Sequence, residues 1–235
     1  MMDYQFLKTK LTEKGIKITD DMITKLDLYA TFLIEKNNEF NLTAITKKEE
    51  IIEKHFYDSL LCGTIYKFEK DKVIDIGTGA GFPGIPLKIV FSDINLTLLE
   101  ATKKKCNFLE EVINKLDLKN VTVINKRAEE YIKEKREIYD LVLARAVAPL
   151  NVLLELCIPY IKVGGMMIVM KGKQGLNELE TSQKAIEKLK IRVIFSKPSY
   201  LETDKVERYN ILFRKEKSTP LKYPRLYSQI KNKPL

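Results

Sequence analysis

The chain has 235 residues, of which 45% are hydrophobic and 31% charged. This length suits one α/β domain with an extension, and the composition excludes global disorder and fibrous classes. The 41 basic and 32 acidic side chains give a formal net charge of +9, which favours a polyanionic partner over a cationic substrate.

Membrane, secretion and metal signals are weak in this sequence. No apolar run reaches about 18 residues, and the first residues lack the apolar core of a signal peptide, so we expect a cytoplasmic protein with no membrane partner. The three cysteines are far apart and the chain has one histidine, so we expect neither a zinc site nor disulfides, and no metal. Nothing in the sequence indicates an oligomer.

Residues 1–70 are predicted to form a helical cap, because their apolar residues recur with the helical period. Thr19 or Asp20 can cap the start of one helix, and Asn41-Leu42-Thr43 separates it from a second amphipathic stretch. His55 and Asp58 lie on one face of that second helix. They either line the approach to a pocket or hold the cap onto the rest of the protein.

From Lys72 onward, short apolar runs alternate with amphipathic segments, which predicts a mostly parallel sheet with helices on both faces. The predicted strands are seven: KVIDI, NLTLLE, VTVI, DLVLA, GGMMIVMK, KIRVIFSKP and ERYNILFRK. We assign residues 71–216 to this α/β domain. Residues 217–235 are predicted to be a basic C-terminal tail, and the stretch 214–235 carries +6 of the net charge. The last fifteen residues of the chain are expected to be loosely attached.

A glycine-rich loop, VIDIGTGAGFPG, joins the first predicted strand to a helix. In doubly wound sheets, ligands bind beyond the carboxyl ends of the strands, and glycines let the backbone approach them closely. The loop therefore indicates a nucleotide-like cofactor.

Two cofactors compete for this loop. Gly79, Gly81 and Gly84 match the dinucleotide fingerprint, and Glu100 at the end of the next strand is placed to bind ribose hydroxyls. Asp75 at the first strand end would repel a pyrophosphate but could accept a hydrogen bond from an amino acid's ammonium group. That acid favours S-adenosylmethionine, while a tight turn without any ligand is the structural alternative.

The later strand ends carry further candidates. Arg127-Ala128-Glu129 either meets an adenine edge or simply begins a helix. Arg145 stands where a substrate should lie, or forms an ion pair with a carboxylate such as Asp75. Lys171 and its neighbour Lys173 either contact a phosphate, cap the strand end or are solvated.

Several of these motifs together resemble the bacterial 16S ribosomal RNA guanine-N7 methyltransferase family, also called glucose-inhibited division protein B. The resemblance spans about residues 38–227, and it is specific because GAGFPGIPL occurs with NLTAI and HFYDSL. The matching segments are Asn41–Ile45, His55–Leu60, Asp75–Leu87, Arg145–Ala148, Lys171-Gly172 and Tyr223-Pro224-Arg225.

The resemblance implies a Rossmann-like, S-adenosylmethionine-dependent methyltransferase fold that modifies a guanine in the decoding-region loop of 16S rRNA. It implies a partner, either 16S rRNA or the small ribosomal subunit. It also implies cofactor contacts at Gly77, Phe82, Ala128, Glu129 and Arg145, with Glu100 near the ribose.

Guanine N7 has a lone pair and no proton, so the implied methyl transfer needs no general base. We therefore expect no catalytic nucleophile, and Arg145 is the candidate for orienting the guanine or the cofactor. His55, Asp58, Lys171 and Arg225 are the candidate substrate contacts, and the basic tail is expected to contact rRNA phosphates. The alternatives are a nicotinamide-dependent oxidoreductase and a non-catalytic RNA-binding module that keeps a cofactor pocket.

Overall fold

The computed structural model describes residues 2–145 and 148–235, so Ala146 and Val147 of the predicted Arg-Ala-Val-Ala motif lie outside the described residues. The chain begins with helices, as predicted. They are α1 (Tyr4–Glu13), α2 (Asp20–Phe40), α3 (Lys48–Ile51), a π-helical turn (Ile52–Tyr57), α4 (Asp58–Leu60) and a 3₁₀ turn (Leu61–Thr64).

Local sequence explains the bounds of α2. Thr19 caps its first turn, where the hydroxyl accepts from the backbone N–H of Met22, as the sequence predicts. Asp20 and Asp21 add negative charge at the positive end of the helix. Asn41 ends it in the left-handed conformation, with φ at 49°.

Among the described residues, eight strands form one sheet in the order β3-β2-β1-β4-β5-β8-β6, with β7 paired to β8. The first five in this order run parallel, and β8 is antiparallel to β5, β6 and β7. The strands are β1 (Lys72–Ile76), β2 (Asn95–Leu99), β3 (Val121–Ile124), β4 (Tyr139–Arg145), β5 (Ile161–Lys171), β6 (Ile191–Phe195), β7 (Pro198–Tyr200) and β8 (Glu207–Lys215). The mostly parallel α/β architecture is confirmed, and the short β7, which carries a proline, was not predicted.

Helices cover both faces of the sheet. Those after the cap are α5 (Gly84–Val90), α6 (Lys103–Lys115), α7 (Ala128–Tyr131), α8 (Leu150–Cys157), a 3₁₀ turn (Ile158–Tyr160), α9 (Gly175–Thr181), α10 (Gln183–Leu189) and α11 (Tyr227–Asn232). The side chains of β1 alternate between two cores: Val73 packs with the cap, α5 and α6, and Ile74 packs with α8 and α11. The cap thus packs on one face of the sheet.

The C-terminal residues are docked onto the opposite face, so the expectation of a loosely attached tail is wrong. Ile230 is fully buried and Tyr223 is nearly so. The Arg136 guanidinium donates to the carbonyl oxygens of Thr219 and Tyr223 at 2.8 Å each. Lys215, counted among the basic tail residues, lies buried against Glu137 at 2.7 Å. Apolar side chains spaced through the segment attach it despite its net positive charge.

Within the described part of the chain, no helix combines the length and apolarity that crossing a membrane requires.

Candidate functional site

Asp75, at the end of β1, closes the glycine-rich loop. Its Oδ2 accepts from the Thr78 hydroxyl at 2.6 Å and from the Gly84 N–H at 2.9 Å. Burial raises the pKa of Asp75 to about 6, against the opposing effect of these two donors. Its other oxygen, Oδ1, is buried and has no hydrogen-bond partner among the described residues.

Two glycines of this loop have different reasons to be glycine. Both have positive φ, +63° at Gly79 and +100° at Gly81. A Cβ at Gly81 would lie 2.7 Å from the Tyr29 hydroxyl and 2.5 Å from Ile85 Cδ1, whereas a Cβ at Gly79 would meet nothing within 4 Å. Gly81 therefore serves the packing of the cap, and Gly79 is the position where backbone faces open space.

Glu100, at the end of β2, links that strand to the loop. Its Oε2 accepts from the Gly79 N–H at 3.1 Å and its Oε1 from the Thr102 N–H at 2.8 Å. The residue is 7% exposed. The sequence prediction that Glu100 and the glycine loop lie together is therefore confirmed in space.

A cavity of about 150 Å³ lies at the carboxyl ends of β1, β2 and β3, and we call it the strand-end cavity. Four of the predicted cofactor residues line it: Gly77, Glu100, Ala128 and Glu129. Apolar side chains, including Ile76, Leu99 and Leu156, form part of its wall. Tyr227 of α11 also lines it, and this residue was not predicted because the tail was expected to be loose.

A second cavity, of about 420 Å³, opens between the cap and the ends of β4, β5 and β8, and we call it the cap–sheet cavity. It is lined by three of the candidate substrate contacts from the sequence and by one residue that was not predicted. They are His55, Asp58 and Lys171, with Arg208 of β8. Arg145 also lines this cavity.

Arg145 is held by the cap. Its Nη1 donates to Asp58 Oδ2 at 3.3 Å and to the Lys54 carbonyl at 3.2 Å, and its Nη2 donates to His55 Nδ1 at 2.8 Å. The guanidinium carbon lies 5.2 Å from the centroid of the Phe82 ring, on which His55 also stacks at 4.2 Å. The expected ion pair of Arg145 is thus made with Asp58 and not with Asp75, because the cap supplies the nearer carboxylate.

His55 is neutral in this arrangement. Since Nδ1 accepts from Arg145, the ring proton is on Nε2, which lies 2.9 Å from the Thr43 hydroxyl. Burial, and then the positive charge of Arg145, lower the pKa of His55 to about 3. The two predicted roles of His55 are compatible: it lines a cavity, and its bond to Arg145 of β4 holds the cap against the sheet.

Asp58 is a buried carboxylate between two arginines. Besides Arg145, its Oδ1 lies 3.4 Å from Nε of Arg208. Burial raises the pKa of Asp58, and the two guanidiniums act in the opposite direction. No motif pointed to Arg208. It is one of several charged residues in ERYNILFRK, and the sequence identified that segment only as a strand.

Two predicted basic residues have structural partners. Lys171 is 9% exposed, and its Nζ lies 2.8 Å from Glu178 and donates to the Ala148 carbonyl at 2.6 Å, so its interpretation as solvated is wrong. Arg225 lies on the face where α8 and α11 pack and forms a two-bond pair with the fully buried Glu155, at 2.8 and 2.6 Å. A phosphate contact by Arg225 stays a prediction, and it would compete with that pair.

The described residues contain no group of three or more His, Cys, Asp or Glu side chains that could hold a metal ion.

Comparison with known proteins gives consistent findings. The family model described as rRNA small subunit methyltransferase G matches residues 22–205. A protein of Mesoplasma florum named ribosomal RNA small subunit methyltransferase G is 44% identical over 216 residues, covering 92% of this chain and 91% of its own. A protein of the same name from Alkaliphilus metalliredigens is 44% identical over 238 residues, covering all of both chains.

Solved structures of similar fold include proteins that are described as bound to AdoMet or as SAM-dependent. TYW2 of M. jannaschii, solved in complex with AdoMet, has a TM-score of 0.51 at 19% identity and covers 62% of this chain and 69% of its own. A SAM-dependent O-methyltransferase of Thermotoga maritima has a TM-score of 0.53 at 17% identity and covers 80% of this chain and 72% of its own. The predicted Rossmann-like methyltransferase fold is confirmed.

Proposed function

The chain belongs to the rRNA small subunit methyltransferase G family, and from this premise we propose that it methylates N7 of a guanine in the decoding-region loop of 16S rRNA with S-adenosylmethionine. Membership makes it a methyltransferase, so the nicotinamide-dependent oxidoreductase that the glycine fingerprint allowed is wrong. The proposed substrate implies that the enzyme acts in the cytoplasm.

The observation that carries the proposal is one loop that lines one cavity and packs under Arg145, a lining residue of the other. Gly77, directly after β1, lines the strand-end cavity, and Phe82, further along the same loop, lies under Arg145 at the cap–sheet cavity. Reacting groups held in these two cavities would be neighbours across the loop. Proximity of this kind can supply much of the rate of a two-substrate reaction.

The residues present fit S-adenosylmethionine at the strand-end cavity. Glu100 uses each carboxylate oxygen once, and a carboxylate has about four lone-pair positions, so it can also accept from ribose hydroxyls. Ala128 and Glu129 in the cavity lining suit the adenine. Asp75 and Gly79 lie outside that lining, on the adjoining loop, where the unpartnered Asp75 Oδ1 and the open backbone at Gly79 suit the polar amino-acid end. When bound, the cofactor supplies an electrophilic methyl group on a sulfonium.

The cap–sheet cavity suits an anionic nucleic acid. Four of its lining residues are basic: Lys54, Arg145, Lys171 and Arg208. Each of the four is paired with a carboxylate, and two of these carboxylates, Asp58 and Glu178, also line the cavity. Four basic and two acidic side chains leave the lining with a formal charge of +2. A cavity with this lining raises the local concentration of RNA phosphates.

The protonation states in this cavity agree with transfer to N7, a reaction that needs no base. The Nδ1 of His55 accepts from Arg145, and Asp58 lies between two arginines, so neither side chain is placed to take a proton. We propose that Arg145 orients the guanine. A guanidinium has five N–H donors, so Arg145 can donate to O6 while Nη1 and Nη2 hold the cap.

The test is transfer of a labelled methyl group from S-adenosylmethionine to small ribosomal subunits and, in parallel, to naked 16S rRNA. We expect the label in RNA, and nuclease digestion with mass analysis should identify 7-methylguanosine in a fragment from the decoding region. A boiled sample of the enzyme is the control. Label on an exocyclic amine, or cofactor binding with no transfer to either RNA, would contradict the proposal.

A further inference from the structure

An aromatic side chain from the C-terminal segment lies at the strand-end cavity. Tyr227 is the first residue of α11, lines the cavity and is 38% exposed. We propose that its ring contacts the adenine of the cofactor, so that residues 219–235, here called the C-terminal arm, form one wall of the cofactor site. This inference rests on the proposed use of S-adenosylmethionine.

The arm is anchored immediately before Tyr227. Arg225 uses three donors on buried Glu155 of α8: its backbone N–H at 3.0 Å, Nε at 2.8 Å and Nη2 at 2.6 Å. A fork-shaped pair of this kind fixes orientation as well as position. With Arg225 fixed, the start of α11 two residues later is held at the cavity.

Apolar packing anchors the arm on both sides of Tyr227. Tyr223, Ile230 and Leu235 are 4%, 0% and 9% exposed and belong to the same core as Ile76. Tyr227 differs from them because it is 38% exposed and lines the cavity. Leu221 and Leu226 of the arm are exposed, at 88% and 70%, so among the arm's large apolar residues Tyr227 is distinguished by lining the cavity.

The composition of the cavity points to a flat aromatic ligand group. Ile76, Leu99 and Leu156 of the lining are apolar, and Ala101, Ala128 and Ala148 are small. A purine has the same combination of an apolar face and a polar edge, and aromatic side chains bind such faces by stacking. Glu129 is at the same cavity, as expected for a group that meets a polar edge.

The experiment measures binding and not activity. Isothermal titration calorimetry with S-adenosylhomocysteine is done on the full chain, on Tyr227→Ala, on Tyr227→Phe and on Tyr227→Leu. We expect the Kd to rise about five- to tenfold in the alanine variant, to rise less in the leucine variant and to stay within about twofold in the phenylalanine variant. Ser228→Ala, an exposed neighbour on the same arm, is the matched control and should bind normally.

A second probe assigns the contact to the adenine. Methylthioadenosine lacks the amino-acid end of the cofactor, so its Kd should change by the same factor as that of S-adenosylhomocysteine. Equal binding of both probes by the full chain and by Tyr227→Ala and Tyr227→Leu would overturn the inference and leave the proposed function intact. Failure of the full chain to bind either probe would instead refute the proposed cofactor.

Discussion

The strand-end cavity and the cap–sheet cavity are built in opposite ways. The first is formed at the ends of consecutive parallel strands, mainly by residues that follow β1, β2 and β3 directly, with Glu100 and Glu129 as its acids. The second is formed by polar and charged side chains from three distant parts of the chain: His55 and Asp58 in the cap, Arg145 in β4 and Arg208 in β8. One cavity depends on backbone geometry, and the other depends on pairing of buried charges.

This difference predicts different responses to mutation. A backbone-lined site tolerates changes in neighbouring charges but not an added Cβ where the chain turns tightly. A charge-paired site fails when one partner is removed, because the remaining ion stays buried without compensation. Variants of each site therefore test whether the two cavities respond independently to mutation.

The largest effect is expected from Arg145→Ala. The variant leaves Asp58 buried with only Arg208 as a partner, and we expect a loss of about 3–5 kcal/mol in the free energy of unfolding, measured with urea. Methyl transfer should fall at least about tenfold, because the group that orients the guanine is gone. Affinity for S-adenosylhomocysteine should change by less than about threefold, since that ligand belongs to the other cavity.

Arg192→Ala is the control, because Arg192 is a 60% exposed arginine paired with Glu216 and should lose at most about 1 kcal/mol. Adding Asp58→Asn to Arg145→Ala should recover stability without recovering transfer, since it removes the uncompensated charge. If cofactor affinity falls as far as transfer does, Arg145 also binds the cofactor, as the family resemblance implies, and the two cavities are not separable.

An intermediate effect is expected at the glycine loop. Gly81→Ala places a Cβ against Tyr29 and Ile85 at positive φ, and we expect it to destabilise the fold by about 2–3 kcal/mol. Gly79→Ala meets no atoms and should cost about 1 kcal/mol for its left-handed backbone. Although Gly79→Ala should cost little folding stability, we expect it to raise the Kd for S-adenosylhomocysteine measurably, because its backbone faces the open space at the loop.

Gly172→Ala serves as the control for both, because its Cβ would meet nothing within 4 Å and its φ is not left-handed. Thermal unfolding followed by circular dichroism ranks the stabilities, and calorimetry ranks the affinities. Equal destabilisation by Gly79→Ala and Gly81→Ala would contradict the different roles assigned to these two glycines.

The strand-end cavity was largely predictable from sequence, and the reason is the parallel sheet. The carboxyl ends of neighbouring strands meet at one edge, so Gly77, Glu100 and Ala128, each just after a predicted strand, had to converge. The α/β fold was predictable for the same reason, since continuous apolar runs alternating with amphipathic segments have few other arrangements.

The cap–sheet cluster was predictable only in part. His55, Asp58 and Arg145 were candidates, but their pairing was not, because no local pattern says which buried carboxylate a distant arginine will reach. Arg208 and Tyr227 had no signal of their own: one is a charge in a strand, and the other lies in a segment whose basic composition suggested no attachment. Long-range side-chain pairing is decided by packing of the cap and the arm, which sequence periodicity does not describe.

The smallest effect is expected from the protonation of His55, the only histidine of the chain. Its folded pKa of about 3 is below the unfolded value of about 6.5, so its contribution to stability is complete above pH 6.5 and is lost as pH falls toward 3. Asp75 acts with the opposite sign, because its folded pKa of about 6 is raised and its contribution to stability is lost as pH rises from about 4 to about 6.

Comparison with His55→Gln, which cannot titrate in this range, isolates the contribution of the histidine. Between pH 7 and 5.5 the free energy of unfolding of the wild type should fall by about 1 kcal/mol more than that of the variant. The single imidazole resonance in an NMR titration provides the direct measurement, and it should stay at the neutral position down to about pH 4. A midpoint near 6.5 would show that water reaches His55 and that Arg145 does not hold it, and the cap–sheet cluster would then be as open to solvent as the strand-end cavity.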